Sequence, residues 1–249
     1  PSGGTDIAPG GTITYTPASG YAGTDSFEVQ VSDGVATSTR TISVKIAPTA
    51  PGAPDLAAAS DTGWSSTDDI TLAAILIFSG TNAPNDNTGI VRVFLDQNAD
   101  GTYNDGTDPA AIVTAGASGF WSDAGVDTSR VNGGTYNVYA STSSASGGLT
   151  SSLSSPLSIT IDRTMPIITI SAFSGDDQLG ASEAGSNLAI SGTTSGVENG
   201  QSVTVALNSQ TYTNAVSSGA WNVTVPAAAL IRFSQEANAV TADVADLAG

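Results

Sequence analysis

Short apolar or alternating runs, each closed by Gly, Asn, Asp, Ser or Pro, recur from one end of this sequence to the other, and that spacing fits little except antiparallel β structure. Ile13 and Tyr15 point one way. After a turn built on Pro17, Gly20 and Gly23, the alternation resumes at Phe27, Val29 and Val31, and beyond the Asp33-Gly34 hairpin signal it closes with Ile42, Val44 and Ile46. These residues supply only about half a sandwich. The run from Pro48 to Pro54 is rich in Pro, which stiffens a chain and refuses ladder hydrogen bonds, so it reads as a linker.

A second set of strands is expected at Ile70–Phe78, Ile90–Leu95, Ala110–Thr114, Gly119–Ser122, Thr135–Ser141 and Leu157–Ile161, with turn residues in every gap. Asp162 to Pro166 marks a further boundary. A third set is expected at Ile167–Ser171, Leu188–Gly192, Ser202–Leu207, Thr211–Val216, Trp221–Val225 and Ala239–Val244, with a short helical turn over Ala227–Glu236. The fold class is all-β: tandem immunoglobulin-like, Greek-key antiparallel sandwiches joined by short linkers. The boundaries expected are half a module over 1–47, a linker over 48–54, a complete module over 55–162, and a module lacking its last strand over 163–249.

Several motifs resemble the tandem repeats of large bacterial adhesins. Gly11-Thr12-Ile13-Thr14-Tyr15-Thr16-Pro17, with Gly20-Tyr21, Gly23, Asp25, Phe27 and Ser32-Asp33-Gly34, resembles the second half of their cadherin-like repeats. Pro54-Asp55-Leu56, Ser60-Asp61-Thr62-Gly63 and Asp68-Asp69-Ile70-Thr71 resemble the opening of their Ig-like repeats. So do Gly175-Asp176-Asp177, Ile190-Ser191-Gly192-Thr193, Gly196 to Gln201 and Ala220-Trp221-Asn222-Val223-Thr224-Val225-Pro226. The resemblance implies an extracellular or cell-surface location and calcium at module junctions. It also implies a structural role beside neighbouring repeats or other copies of the chain, holding an adhesive tip outward or building a biofilm matrix. Contact with a glycan or host surface would then fall to regions outside this segment.

Charge points the same way. Six Lys and Arg stand against 23 Asp and Glu, a net charge of −17 that repels nucleic acid and anionic lipid but draws divalent cations to clustered carboxylates. The longest apolar run, Leu72 to Phe78, is too short to insert into a membrane. Cysteine and histidine are both absent, so thiolate or imidazole metal sites and the usual nucleophilic triads are excluded, and no enzyme is expected.

The sharpest motif runs from Asp96 to Asp108. Asp96, Asn98 and Asp100 place side-chain oxygens at alternate positions before Gly101, as a Ca²⁺ loop requires, and the Thr102 carbonyl extends the set. Thr107 stands where an EF-hand would carry its bidentate Glu, so Asp105 or Asp108 has to close the shell. The same residues would also serve an acidic loop held by Asx turns alone.

A second set is assembled by topology. Asp61, Asp68 and Asp69 lie on the loop after the first strand of the second module, Asp162 lies on its exit linker, and Asp246 lies on the last near-end loop of the third. These carboxylates are expected to meet at the junction, where they repel one another without a cation. Asp176, Asp177 and Glu183 occupy the equivalent far-end loop of the third module. Trp121 and Trp221 fall at matching places in the two modules, which favours packing over sugar stacking. A glycan- or protein-binding sandwich is the alternative function.

Overall fold

The computed structural model describes residues 7–8, 10–19, 21–81, 89–116, 118–143, 149–172, 185–230 and 239–249. Its first element pair is a lone hairpin, β1 (Gly23–Ser32) and β2 (Thr37–Ile46), in register from Gly23↔Ile46 to Ser32↔Thr37. The Asp33 carboxylate makes the turn by accepting the N–H groups of Val35 and Ala36. The alternation is as expected, but the face that carries Phe27 and Val29 is only half-buried and Val31 is 68% exposed. Residues 12–16 were expected as a strand and have none. Tyr15 instead lies flat on Phe27, 6.0 Å between centroids, with its hydroxyl on Asp25 at 2.6 Å. Among the described residues this hairpin, with one stacked aromatic, has no second layer to bury against.

The Pro-rich run does not hang free. Pro48, Pro51 and Pro54 are buried, the Thr49 carbonyl accepts the Thr142 hydroxyl at 2.9 Å, and Gly52 N–H donates to the Thr81 carbonyl at 3.0 Å. Prolines here bring apolar rings without an N–H to satisfy, so the run lies against the sandwich that follows it.

That sandwich comprises β3 (Asp55–Leu56), β4 (Ile70–Thr71), β5 (Ile75–Thr81), β6 (Ile90–Asp96), β7 (Ala110–Thr114), β8 (Phe120–Asp127), β9 (Gly134–Ser143) and β10 (Leu157–Ile161). Its sheets are β3-β5-β8 and β4-β10-β9-β6-β7. Leu56, Leu76, Phe78 and Val126 of the first meet Val91, Val93, Val138 and Ile159 of the second in one core. The single strand expected over Ile70–Phe78 is in fact two. β4 pairs in parallel with β10, whereas β5 lies in the other sheet. Parity forces the break: Thr71 is buried and so are Leu76 and Phe78, an odd step that no single strand takes without turning one of them to solvent.

The next elements are β11 (Ile167–Ile168), β12 (Leu188–Ser195), β13 (Ser202–Leu207), β14 (Gln210–Ala215), β15 (Ala220–Val225), the one-turn helix α1 (Ala227–Leu230) and β16 (Val240–Asp243). They form sheets β11-β12-β15 and β14-β13-β16 over a second core that contains Ile190, Val203, Val205, Trp221 and Val225. The longer helix expected to Glu236 runs into residues outside those described, as does the loop with Asp176, Asp177 and Glu183.

Candidate functional site: the end of the first sandwich

Strand register gathers the acidic loops at one end of the first sandwich. Ile161, the last residue of β10, pairs with Gly134, the first of β9, and Asp96, the last of β6, pairs nearby with Asn137. Asp127, the last of β8, pairs with Ile75, the first of β5. The loops 57–69, 97–109 and 128–133 and the exit at Asp162 therefore share the end that leads to the second sandwich. Asp61, Asp68 and Asp69 were expected at this end; the Asp96 to Asp108 loop joins them there without having been expected.

In that loop the carboxylates are wrapped by their own chain. Asp96, 3% exposed, accepts Asp100 N–H at 3.2 Å on one oxygen and Gly101 N–H at 2.9 Å on the other. Asp100 accepts the N–H and hydroxyl of Thr102 at 2.8 and 2.7 Å and the amides of Asn98 and Asn104, and the Thr102 donors lead in lowering its pKa to about 2. Asp108, 5% exposed, accepts Gln97 and Asn104 N–H groups at 2.9 and 2.8 Å. Asp105 takes the Tyr103 hydroxyl at 3.1 Å, and the Thr102 carbonyl accepts the Asn104 amide at 3.2 Å. Ala99 and Gly101 both adopt positive φ, 58° and 71°, which makes the turn this tight. The loop is pinned to the outer face of its sheet by Tyr103, which packs edge-on to Phe94 at 5.4 Å and under the Arg92 guanidinium at 4.5 Å.

The 57–69 loop is less self-sufficient. Asp61 is 4% exposed; one oxygen accepts Asp69 N–H at 3.3 Å, and the other is buried with no partner. Burial, then the neighbouring Asp68 charge, raises its pKa. Asp69, at φ 59°, is likewise raised, first by burial and then by the charges of Asp61, Asp55 and Asp68. Asp68 caps Ile70 N–H at 3.2 Å, Asp162 caps Thr164 N–H at 2.7 Å, and Asp246, 3% exposed, caps Gly249 N–H at 2.8 Å. Among the described residues no three Asp or Glu side chains come together closely enough to hold a metal ion by themselves.

Two contacts at this end carry no signal in the sequence. Arg163, just past the last strand, spreads its guanidinium over the carbonyls of Leu72, Ala73 and Thr128. The Thr62 hydroxyl and Trp64 N–H reach across to the Ala248 and Leu247 carbonyls of the second sandwich, at 2.8 and 3.3 Å. A lone Arg after a strand and a Gly in a polar loop are too common to have singled these out. Trp121 and Trp221 are both buried, at 3% and 2%, as their matching positions indicated, while Trp64 is 77% exposed.

Paired, mainly antiparallel sandwiches with capped loops define a class of modular Ig-like protein. Residues 1–45 match the bacterial Ig domain family and residues 46–163 the bacterial Ig-like domain family. Through residue 163, the chain is made of bacterial Ig-like domains. No curated protein matches it. Among solved structures it is similar to one described as a Ca²⁺-stabilized adhesin that helps an Antarctic bacterium reach out and bind ice. The identity is 24% and the TM-score 0.36, over 89% of this chain and 56% of that one, so it spans little more than half that structure. A 1.5-MDa bacterial ice-binding adhesin structure gives 19% and 0.35 over 91% and 74%. The chicken CNTN1 FN1-FN3 domains give 12% and 0.34 over 90% and 70%, so these likenesses are common to serial β-sandwiches and carry no function of their own.

Proposed function

We propose that this chain is a structural segment of an extracellular bacterial adhesin or fibre, a spacer whose sandwiches are stiffened by calcium at the end where they meet. The observation that carries the reading is the buried, unpartnered oxygen of Asp61 beside a second carboxylate with raised pKa, on the loop that touches the next sandwich. A buried anion without a compensating charge is costly, and a hard cation with oxygen ligands is the simplest compensation. Asp61 and Asp69 would hold the ion, and Asp68, on the same loop, would add a ligand once the metal draws the loop together; Asp162 and Asp246 are the further candidates at this end. The Asp96 to Asp108 loop is the second site. Asp96, Asn98, Asp100, the Thr102 carbonyl and Asp105 or Asp108 supply its oxygens, and its backbone is already bent around them.

Such a segment needs no catalytic group; its partners are neighbouring repeats. Calcium titration by calorimetry on the whole chain tests the reading. Saturable binding together with a rise in thermal midpoint supports it, and heats no different from those with magnesium or buffer overturn the calcium part.

A further inference from the structure

Gly63 stands where the two sandwiches touch. Its φ is 97°, and a Cβ there would overlap the Leu247 carbonyl oxygen and come within 2.6 Å of the Ala248 carbonyl carbon. On either side of it, the Thr62 hydroxyl and Trp64 N–H donate to the Ala248 and Leu247 carbonyls. From the other direction, Leu247 N–H donates to the Glu198 carboxylate at 3.0 Å, and the Asp246 cap on Gly249 fixes the loop's tip. Two loops that belong to different cores are thus joined by direct backbone-level hydrogen bonds, and the fit depends on one residue having no side chain.

We propose that residues 62–64 and 247–249 form a latch that sets the angle between the two sandwiches without any metal, and that Gly63 is its positioning residue. The rotational freedom left by a short linker is large unless something outside the linker removes it. Arg163 fixes where the linker leaves the first sandwich, and the latch supplies the second point of attachment that a fixed angle needs. The latch is separable from the calcium reading: its two cross-sandwich bonds run from the Thr62 hydroxyl and Trp64 N–H to carbonyls and use no carboxylate. Only Asp246, through its cap on Gly249, belongs to both, so calcium would reinforce an angle that the latch already sets.

The test is a distance measurement between spin labels on Thr114→Cys and Thr213→Cys, exposed positions on the edge strands β7 and β14 of a chain with no cysteine of its own. It is made in chelator, so that the presence or absence of calcium binding leaves the result unaffected. One narrow distance is expected, and Gly63→Ala is expected to lose it to a broad distribution while the buried Trp121 and Trp221 keep their native emission. A narrow, unshifted peak in folded Gly63→Ala overturns the proposal. Should Gly63→Ala lose native emission, Thr62→Val decides by the same criterion: broadening supports the latch and an unchanged peak overturns it.

Discussion

Gly192 faces Trp221 across the β12–β15 ladder so closely that a Cβ on it would lie 2.7 Å from the indole ring, and Gly80 faces Trp121 across β5–β8 with the same relation at 2.5 Å. The pair recurs at equivalent strands of both sandwiches, which ties the second sandwich to the same design. Gly192→Ala is expected to destabilise the second sandwich by about 2 kcal/mol, since overpacking a filled core forces strand and ring apart. Gly192 also abuts the Thr169 carbonyl, so relief in that direction is closed too. Denaturant unfolding followed by Trp emission checks this; a loss under half that value would mean the sheet yields more than its packing implies.

For the Asp96 to Asp108 loop, replacing Asp96 and Asp100 together with Ala should remove one calcium site from the calorimetric stoichiometry. Tyr103 should keep the loop attached through Phe94 and Arg92, leaving the fold intact. An unchanged stoichiometry would assign the carboxylates to turn-making alone.

In chelator, Asp61→Asn is expected to stabilise the first sandwich by about 1 kcal/mol, because a neutral amide removes a buried charge that lacks a partner. The pH dependence follows from the same shift. A carboxyl raised in the folded state binds protons more tightly there, so stability should rise as pH falls from neutrality through the raised pKa values of Asp61 and Asp69. Asp100, lowered to about 2, acts oppositely: the stability it contributes is present above the unfolded-state value and is lost as pH falls from there toward 2. A thermal midpoint that peaks in mild acid, and a flatter rise in Asp61→Asn, are the expected results.

Residues 1–50 expressed alone should be unfolded by circular dichroism. Their two strands form a hairpin whose apolar face stays half-exposed, and none of its residues belongs to either core. A cooperative thermal transition from that peptide would contradict this.

Strand existence was legible because alternation and turn residues are local signals. Val91, Val93 and Leu95 declare their face within one strand, as do Val203, Val205 and Leu207. Residues 70–78 misled because an unbroken apolar run conceals a change of sheet, which only the burial of Thr71 beside that of Leu76 makes visible. At the candidate site the approach of the 57–69 loop to residues 247–248 was legible, but it is made by Thr62 and Trp64 rather than by the carboxylates expected to meet there, and among the described residues those do not gather. Arg163 and Gly63 were not legible, since they act through carbonyls contributed by residues distant in sequence.

The parallel pairing of β4 with β10 bears on what happens under tension. Thr160 N–H reaches the Asp69 carbonyl at 2.8 Å and Asp162 N–H the Thr71 carbonyl at 2.9 Å, and β10 runs straight into the exit linker. A pull on the two ends of the chain draws β10 forward and β4 backward along their shared axis. Those bonds are then loaded in shear and have to rupture together, whereas a hairpin such as β1–β2 opens one rung at a time. Once β3 has come away from β5, the resistance of the β4–β10 pair is set by an unfolding rate under force rather than by equilibrium stability.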